Sequence, residues 1–326
     1  MNAGLFPKLN HNMANTYKRI YSGVYEFSNL YNAYQKAIKA KRYKEDIMDF
    51  SYNLELNLIK ISQHLKNHTY IPGKYHRFKV YEPKKREIAA LPFRDRIVQH
   101  AFNNVVEPIF DKAFIFDSYA CRKGKGTHKG MYRIVDFLRK LSPSAYCLKG
   151  DIANYFPSIK HAVLLGLIEK KIQDADLMKL VKVIIFSNHT PGKSGYGIPV
   201  GNLTSQLFAN IYLNYFDYFI KHQLHCKYYV RYVDDFIILS EDKRVLGKIF
   251  KQSEEFLYQK LELKLNRKSS IFPVKQGIDF LGYRIWKTHR LLRKGSVKRM
   301  KKKIAFLKKQ SGENISSEKV RSEIAA

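Results

Sequence analysis

The chain has 326 residues, 45% apolar and 14% aromatic, enough to bury a sizeable core in one or two domains and too aromatic for a chain that never packs. Its 59 Lys and Arg outnumber 28 Asp and Glu, for a formal net charge of +31; so one-sided a balance repels itself unless a polyanion screens it, and nucleic acid is the usual polyanion. Cys121, Cys147 and Cys226 are widely spaced and form no C-x-x-C, which argues against a zinc ribbon or disulfide framework and suits a reducing cytoplasm. Neither a signal peptide nor a membrane span is expected, because no apolar run approaches ~18 residues.

Residues 1–28 read as a polar lead-in. Over 29–66 apolar residues recur at threes and fours (Leu30, Tyr34, Ala37, then Ile47, Phe50, Leu54, Leu56, Ile59), which predicts helix. Residues 75–82 alternate basic and apolar side chains as a strand does, turn through Pro83, Lys84, Lys85 and Arg86, and return over 87–91. A helix over about 94–110 carries Ile97, Ala101, Val105 and Val106 on one stripe. The period then changes: 145–152 reads as a strand, and Ser158 is placed to cap a helix with Ile159, Val163, Leu164 and Leu167 inside. A Gly- and Pro-rich loop, 187–202, leads into an apolar helix over 203–220; 228–240 reads as a β-hairpin, 245–262 as a helix and 280–292 as a short strand pair. The tail beyond Lys294 is a basic helix. Strands interleaved with helices around one hairpin suggest a mixed α/β or α+β fold.

Three carboxylates stand out. Asp151 follows an apolar strand, and Asp234 and Asp235 sit side by side at the tip of the 228–240 hairpin. Each is an acceptable turn residue on its own. Yet tight hairpins favour Asn-Gly or Asp-Gly, and adjacent like charges cost energy unless a cation compensates. Mg²⁺ or Mn²⁺ is the obvious cation, since hard ions take oxygen ligands and leave positions for substrate phosphates. Two such ions about 3.5–4 Å apart activate an attacking hydroxyl and stabilise a leaving pyrophosphate. Lys84, Lys85 and Arg86 are either a triphosphate-binding turn or a solvated one.

With these residues in view, the chain resembles the reverse transcriptases. Tyr232-Val233-Asp234-Asp235 is similar to their Y-x-D-D box, and it follows Asp151-Ile152-Ala153-Asn154-Tyr155-Phe156 and Gly201-Asn202-Leu203-Thr204-Ser205-Gln206 in the family's order; Phe280-Leu281-Gly282-Tyr283 then resembles the primer-grip strand pair. The segment Ile198-Pro199-Val200-Gly201-Asn202-Leu203-Thr204-Ser205-Gln206 departs from the Q-G-x-x-x-S-P form of group II intron and retroviral enzymes. An aliphatic residue replaces the first Gln and Gln206 replaces Pro, as in reverse transcriptases of diversity-generating retroelements. The 118–128 segment and Leu291-Leu292-Arg293-Lys294 also look like that group.

The resemblance implies an α+β right-hand polymerase: a lead-in over 1–28, fingers and palm over 29–288, and a short basic helical thumb over 289–326. It implies two Mg²⁺ ions, with Mn²⁺ as a substitute, held by Asp151, Asp234, Asp235 and the Ile152 carbonyl. Lys84 and Arg86 would meet the incoming dNTP, and Phe156 would exclude a ribose 2′-OH. Val200 and Gly201 would lie beside the nascent pair. Lys268 matches the lysine that protonates pyrophosphate, or is a surface lysine. Phe280, Leu281, Gly282 and Tyr283 would grip the primer. Arg122, Lys123 and Lys125 in a Gly-rich loop, with Arg293, Lys294, Lys298 and Arg299 in the tail, would follow template RNA and the RNA–DNA duplex. The tail carries eleven basic residues and no acid from Lys287 to Lys309; it is a minimal thumb, one completed by a partner, or a shortened one.

The expected role is cDNA synthesis in a bacterial or phage-encoded element, error-prone at adenines, with a small basic accessory protein. The alternative is a reverse transcriptase of an antiphage defence system using its own noncoding RNA. A catalytically silent RNA-binding scaffold is a third reading, against which all three aspartates speak. His222, His225 and Cys226 lack a second ligand pair at finger spacing, and Pro191-Gly192-Lys193-Ser194 lacks the first glycine of a P-loop.

Overall fold

The computed structural model describes residues 16–81 and 85–310. The N-terminal helices are α1 (Ser22–Tyr25), α2 (Phe27–Ala37), α3 (Glu45–Tyr52) and α4 (Leu54–Lys66). The single helical pattern expected over 29–66 is thus broken twice. Ala40 takes a left-handed φ of +58° between α2 and α3, and Asn53 (φ −115°, ψ 45°) interrupts α3 and α4. Part of the stretch read as a lead-in is already core: Tyr21 and Val24 are buried, and the Tyr17 N–H donates to the Lys171 carbonyl at 2.9 Å.

The basic strand pair forms the hairpin β1 (His76–Val80) and β2 (Arg86–Ala90), rooted on α5 (Phe93–Asp111). Asp95 makes that root. Fully buried, it accepts from the Tyr70 hydroxyl, the Gly73 N–H and Arg94, each at about 3 Å.

After α6 (Thr127–Arg139) the chain enters β3 (Tyr146–Asp151), then α7 (Tyr155–Ser158), α8 (His161–Glu169), α9 (Ala175–Phe186) and α10 (Leu203–Tyr218), which a π turn extends through Gln223. Next come β4 (Tyr229–Tyr232), β5 (Asp235–Ser240), α11 (Lys243–Leu261), β6 (Ser270–Pro273), β7 (Ile278–Phe280), β8 (Tyr283–Ile285), β9 (Arg290–Leu292) and α12 (Lys294–Gln310). Ser158 ends α7 instead of capping α8. The Ile159 carbonyl accepts from the Gly197 N–H at 2.8 Å and Lys160 bridges Tyr196, so pairing with the 195–198 loop keeps both residues extended.

The central sheet is antiparallel throughout, in the order β4-β5-β3-β6. Because strand side chains alternate, Leu148, Tyr229, Phe236 and Ile238 face one core, which is shared with the N-terminal helices α1 to α5 and with α8 to α11. Cys147, Val230, Ile237 and Leu239 face a second, shared with α6 and the β7–β8 hairpin. Gly150 sits under Phe236, whose ring would lie 2.0 Å from any added Cβ. Among the described residues, no helix is long and apolar enough to cross a membrane, and Cys121, Cys147 and Cys226 are free thiols.

Candidate active site at the end of the central sheet

Asp151 ends β3 directly opposite Asp235, the first residue of β5. Opposed side chains lie ~4.5–5.5 Å apart at Cβ, and like charges there destabilise a sheet; this pairing therefore costs stability unless something positive joins it. Alternation puts both carboxylates on the face of Lys149, whose ammonium donates to the Asp279 carbonyl of β7 at 2.8 Å. The site and the β7–β8 hairpin thus share one face of the sheet.

Asp234 occupies the turn between β4 and β5, after Val233 in a left-handed conformation, φ +54°. For a β-branched residue that backbone is strained, and the surroundings hold it there. The Arg231 guanidinium donates from Nη1 to the Val233 carbonyl at 2.9 Å and to Asn210 at 3.2 Å. Its Nε and Nη2 engage both oxygens of Asp217 at 2.7 and 2.6 Å, and the Tyr229 hydroxyl donates to the same carboxylate at 2.6 Å. Arg231 and Asp217 are fully buried. On the other side, the Ile152 N–H donates to the Asp234 carbonyl at 3.2 Å, tying the turn to β3.

Burial pushes the Asp234 carboxyl up to about 6, and Asp235 and Asp151 push it the same way; its own backbone hydrogen bond and the Arg86 guanidinium oppose them. The ionised form of Asp234 is thus disfavoured unless a cation joins it. Among the described residues no group of three or more His, Cys, Asp or Glu side chains is placed so that it could hold a metal ion by itself. An open set of carboxylates suits Mg²⁺, which takes one or two protein carboxylates and fills its octahedron with water and substrate phosphates.

The other expected site residues fall around this point. Arg86 starts β2, near enough to act on Asp234; Lys84 lies outside the described residues. The Ala89 N–H donates to the Val200 carbonyl at 3.0 Å, and at Gly201, φ +117°, an added Cβ would lie 2.9 Å from Ile88. The 198–201 loop is therefore stitched to the basic hairpin. Phe156 is half-buried, its carbonyl accepting from the Ile198 N–H at 3.1 Å, while Tyr155 packs inside with its hydroxyl on the Ala209 carbonyl. Phe280, Leu281, Gly282 and Tyr283 form the tight β7–β8 turn, with Leu281 at φ +52° and Gly282 at φ +86°. Leu281 lies against Gly130 of α6, and the Gly282 carbonyl accepts from the Arg293 N–H at 2.9 Å. Lys123, Lys268, Lys294, Lys298 and Arg299 are exposed.

Two expected nucleic-acid contacts have another use. Arg122 turns inward, bonding Asp111 at 2.6 Å and the carbonyls of Ile115, Ser118 and Asp111. Its guanidinium brackets the 111–122 segment and is spent on the fold. Lys125 donates to the Phe116 carbonyl and lies 3.4 Å over that residue's ring.

A four-stranded antiparallel sheet presenting carboxylates at one end, beside a basic hairpin, defines a right-hand polymerase. The structure of telomerase from Candida albicans with the TWJ fragment of telomeric RNA shares the fold at a TM-score of 0.50 and 14% identity, over 69% of this chain and 46% of that one. The reverse transcriptase (RNA-dependent DNA polymerase) family profile matches residues 75–285, nearly two thirds of the chain, and the chain belongs to that family. The group II intron-encoded protein LtrA of Lactococcus lactis subsp. cremoris is 28% identical over 84% of this chain. Protein YkfC of Escherichia coli is 28% identical over 67% of each chain. This chain spans about half the length of the first of these relatives, 55%.

Sequence reasoning missed Arg231, Asp217, Asn266 and Ser269. Arg231 carried a signal, a lone cation inside an apolar strand, but its partner lies 14 residues earlier on another element.

Proposed function

We propose that the chain is an RNA-directed DNA polymerase that copies a template RNA into cDNA within a diversity-generating retroelement. The observation that carries the polymerase reading is the register of Asp151 against Asp235 beside the half-buried Asp234 turn, with Arg86 close enough to oppose the charge on Asp234. Asp151, Asp234, Asp235 and the Ile152 carbonyl hold two Mg²⁺ ions, for which Mn²⁺ substitutes. When bound, the metal supplies activation of the primer 3′-OH and stabilisation of the charge on leaving pyrophosphate.

The chain's own residues do the rest. Arg86 and Lys84 bind the triphosphate of the incoming dNTP, and the Phe156 ring closes the space a ribose 2′-OH would need. The tight β7–β8 turn aims the primer end along the face that carries the carboxylates. Lys268 delivers a proton to pyrophosphate. Lys123 with Arg293, Lys294, Lys298 and Arg299 follows the RNA–DNA duplex by its phosphates. In-line displacement inverts configuration at phosphorus.

The retroelement type rests on the Ile198–Gln206 segment and on Val200. A side chain that neither donates nor accepts removes a polar check on the template–dNTP fit, which lowers fidelity. A small basic accessory protein and a template RNA complete the assembly.

The test is to purify the protein from its host and sequence the RNA and cDNA that accompany it. An RNA related to a neighbouring gene, with cDNA errors concentrated at template adenines and reduced in Val200→Gln, supports the proposal. A structured noncoding RNA copied faithfully moves the assignment to antiphage defence.

A further inference from the structure

Asp151 is held from one side by the segment that carries Lys268. Residues 264–269 run antiparallel beside it: the Ala153 N–H donates to the Lys264 carbonyl at 2.9 Å, Ile152 bridges Leu265, and the Asn266 N–H donates to the Asp151 carbonyl at 2.7 Å. The segment then turns sharply, the Ser269 N–H donating to the Asn266 carbonyl at 2.9 Å, which returns the Ser269 hydroxyl to the Asp151 backbone N–H at 3.2 Å.

Inside that turn the Asn266 side chain makes two bonds of opposite kind. Its Nδ2 donates to Asp151 Oδ2 at 2.9 Å, and its Oδ1 accepts from the Lys268 N–H at 3.1 Å. The second bond fixes the first. A backbone N–H can only donate, so the amide oxygen must face Lys268 and the NH₂ must face the carboxylate.

The chemistry of the amide suits this position. An ionised carboxylate offers about four lone-pair sites; one donor occupies one of them and selects a rotamer while leaving the others to a cation. A Lys or Arg there would neutralise Asp151 and compete with the ion, and an Asp would repel it. Asn orients without adding charge.

We propose that Asn266 is a positioning residue that fixes the metal-holding rotamer of Asp151 and couples it to the turn presenting Lys268. This rests on the polymerase reading above. Residues that orient metal ligands typically change metal affinity or activity by about 10–100-fold when replaced.

Two variants separate the bonds. Asn266→Asp keeps an acceptor for the Lys268 N–H but puts a carboxylate against Asp151, whereas Asn266→Ala loses both contacts. The experiment is Mn²⁺ binding by electron paramagnetic resonance on the full chain with a primed RNA template and dNTP, alongside Mg²⁺-dependent single-nucleotide extension and thermal unfolding. The expected result is Mn²⁺ affinity weaker by about 10–100-fold in both variants, Asn266→Asp the worse, with the same rise in the Mg²⁺ concentration for half-maximal extension. Duplex affinity should not change.

Parental Mn²⁺ affinity in both variants overturns the proposal, whatever happens to extension. So does a loss of extension that tracks a lowered unfolding midpoint at unchanged metal affinity, since that is a packing role. If the parent binds Mn²⁺ but does not extend a primer, the polymerase reading fails while the effect of Asn266 on Mn²⁺ affinity still decides this one.

Discussion

The central sheet and the basic hairpin are both antiparallel and both reach the same carboxylates, yet they are built by opposite rules. The sheet is covered on both faces, and the groups behind the Val233–Asp234 turn are mutually satisfied: Arg231, Asp217, Asn210 and Tyr229 form one buried network. In the hairpin, every residue of β1 is exposed and β2 buries only Ala89. Its fixed points lie at the root, where Asp95 ties Gly73 and Tyr70, and where Tyr75 meets Ser187 and Asn202 at 2.9 and 3.1 Å. The carboxylate end of the sheet is therefore finished by folding, whereas the described part of the hairpin is tied down near its base and leaves Arg86 exposed.

Breaking the buried network should give the largest effect. Arg231→Met leaves the Asp217 carboxylate buried without its partner, a loss of about 3–5 kcal/mol from the ~5–15 kcal/mol that holds a typical domain; thermal unfolding reads it. Asp217→Leu with Arg231→Met should recover most of that stability, because replacing a buried pair by apolar residues is often neutral. Extension should nevertheless stay low, since the Val233 carbonyl has lost its donor. A double variant that is both stable and fully active would show that the network only folds the protein.

The hairpin should answer in the opposite way. Arg86→Ala is expected to raise KM for dNTP by about tenfold, ~1.4 kcal/mol of binding, while stability moves by no more than about 0.5 kcal/mol. A fall in the unfolding midpoint would mean the hairpin supports the fold and would erase the contrast. In the sheet, Gly150→Ala forces a methyl group into Phe236 and should cost about 1–3 kcal/mol, measured as a lower denaturant midpoint. At the outer edge, Lys298→Gln should reduce the slope of log affinity for RNA–DNA duplex against log salt by about 1, with kcat unchanged.

Those contrasts also mark what the sequence made legible. Hairpin and strand positions were readable because the signals are local: short apolar runs over 146–151 and 229–240, and an acidic pair where a turn must fall. Asp151 and Asp235 could be assigned to one site because strand ends bring them together. Asn266 could not be read as a site residue, since it reaches Asp151 from 115 positions away through a turn without periodicity. Ser158 was a sound local cap, overruled by hydrogen bonds to a loop almost 40 residues on. Arg122 looked like a free cation because nothing in its neighbourhood reveals that Asp111 will claim it. Polar residues fixed by tertiary partners are the ones sequence pattern leaves open.

The claim at the centre of this account is that Asp151, Asp234 and Asp235 meet to support metal-dependent nucleotide addition. Single-nucleotide incorporation on a primed RNA template tests it most directly, comparing the parent with Asp234→Asn in Mg²⁺ and in excess chelator. The account predicts dNTP addition by the parent that chelator abolishes, and a loss of at least about 10³-fold in Asp234→Asn with duplex binding retained. Incorporation by Asp234→Asn at the parental rate, or by the parent without divalent metal, would contradict it.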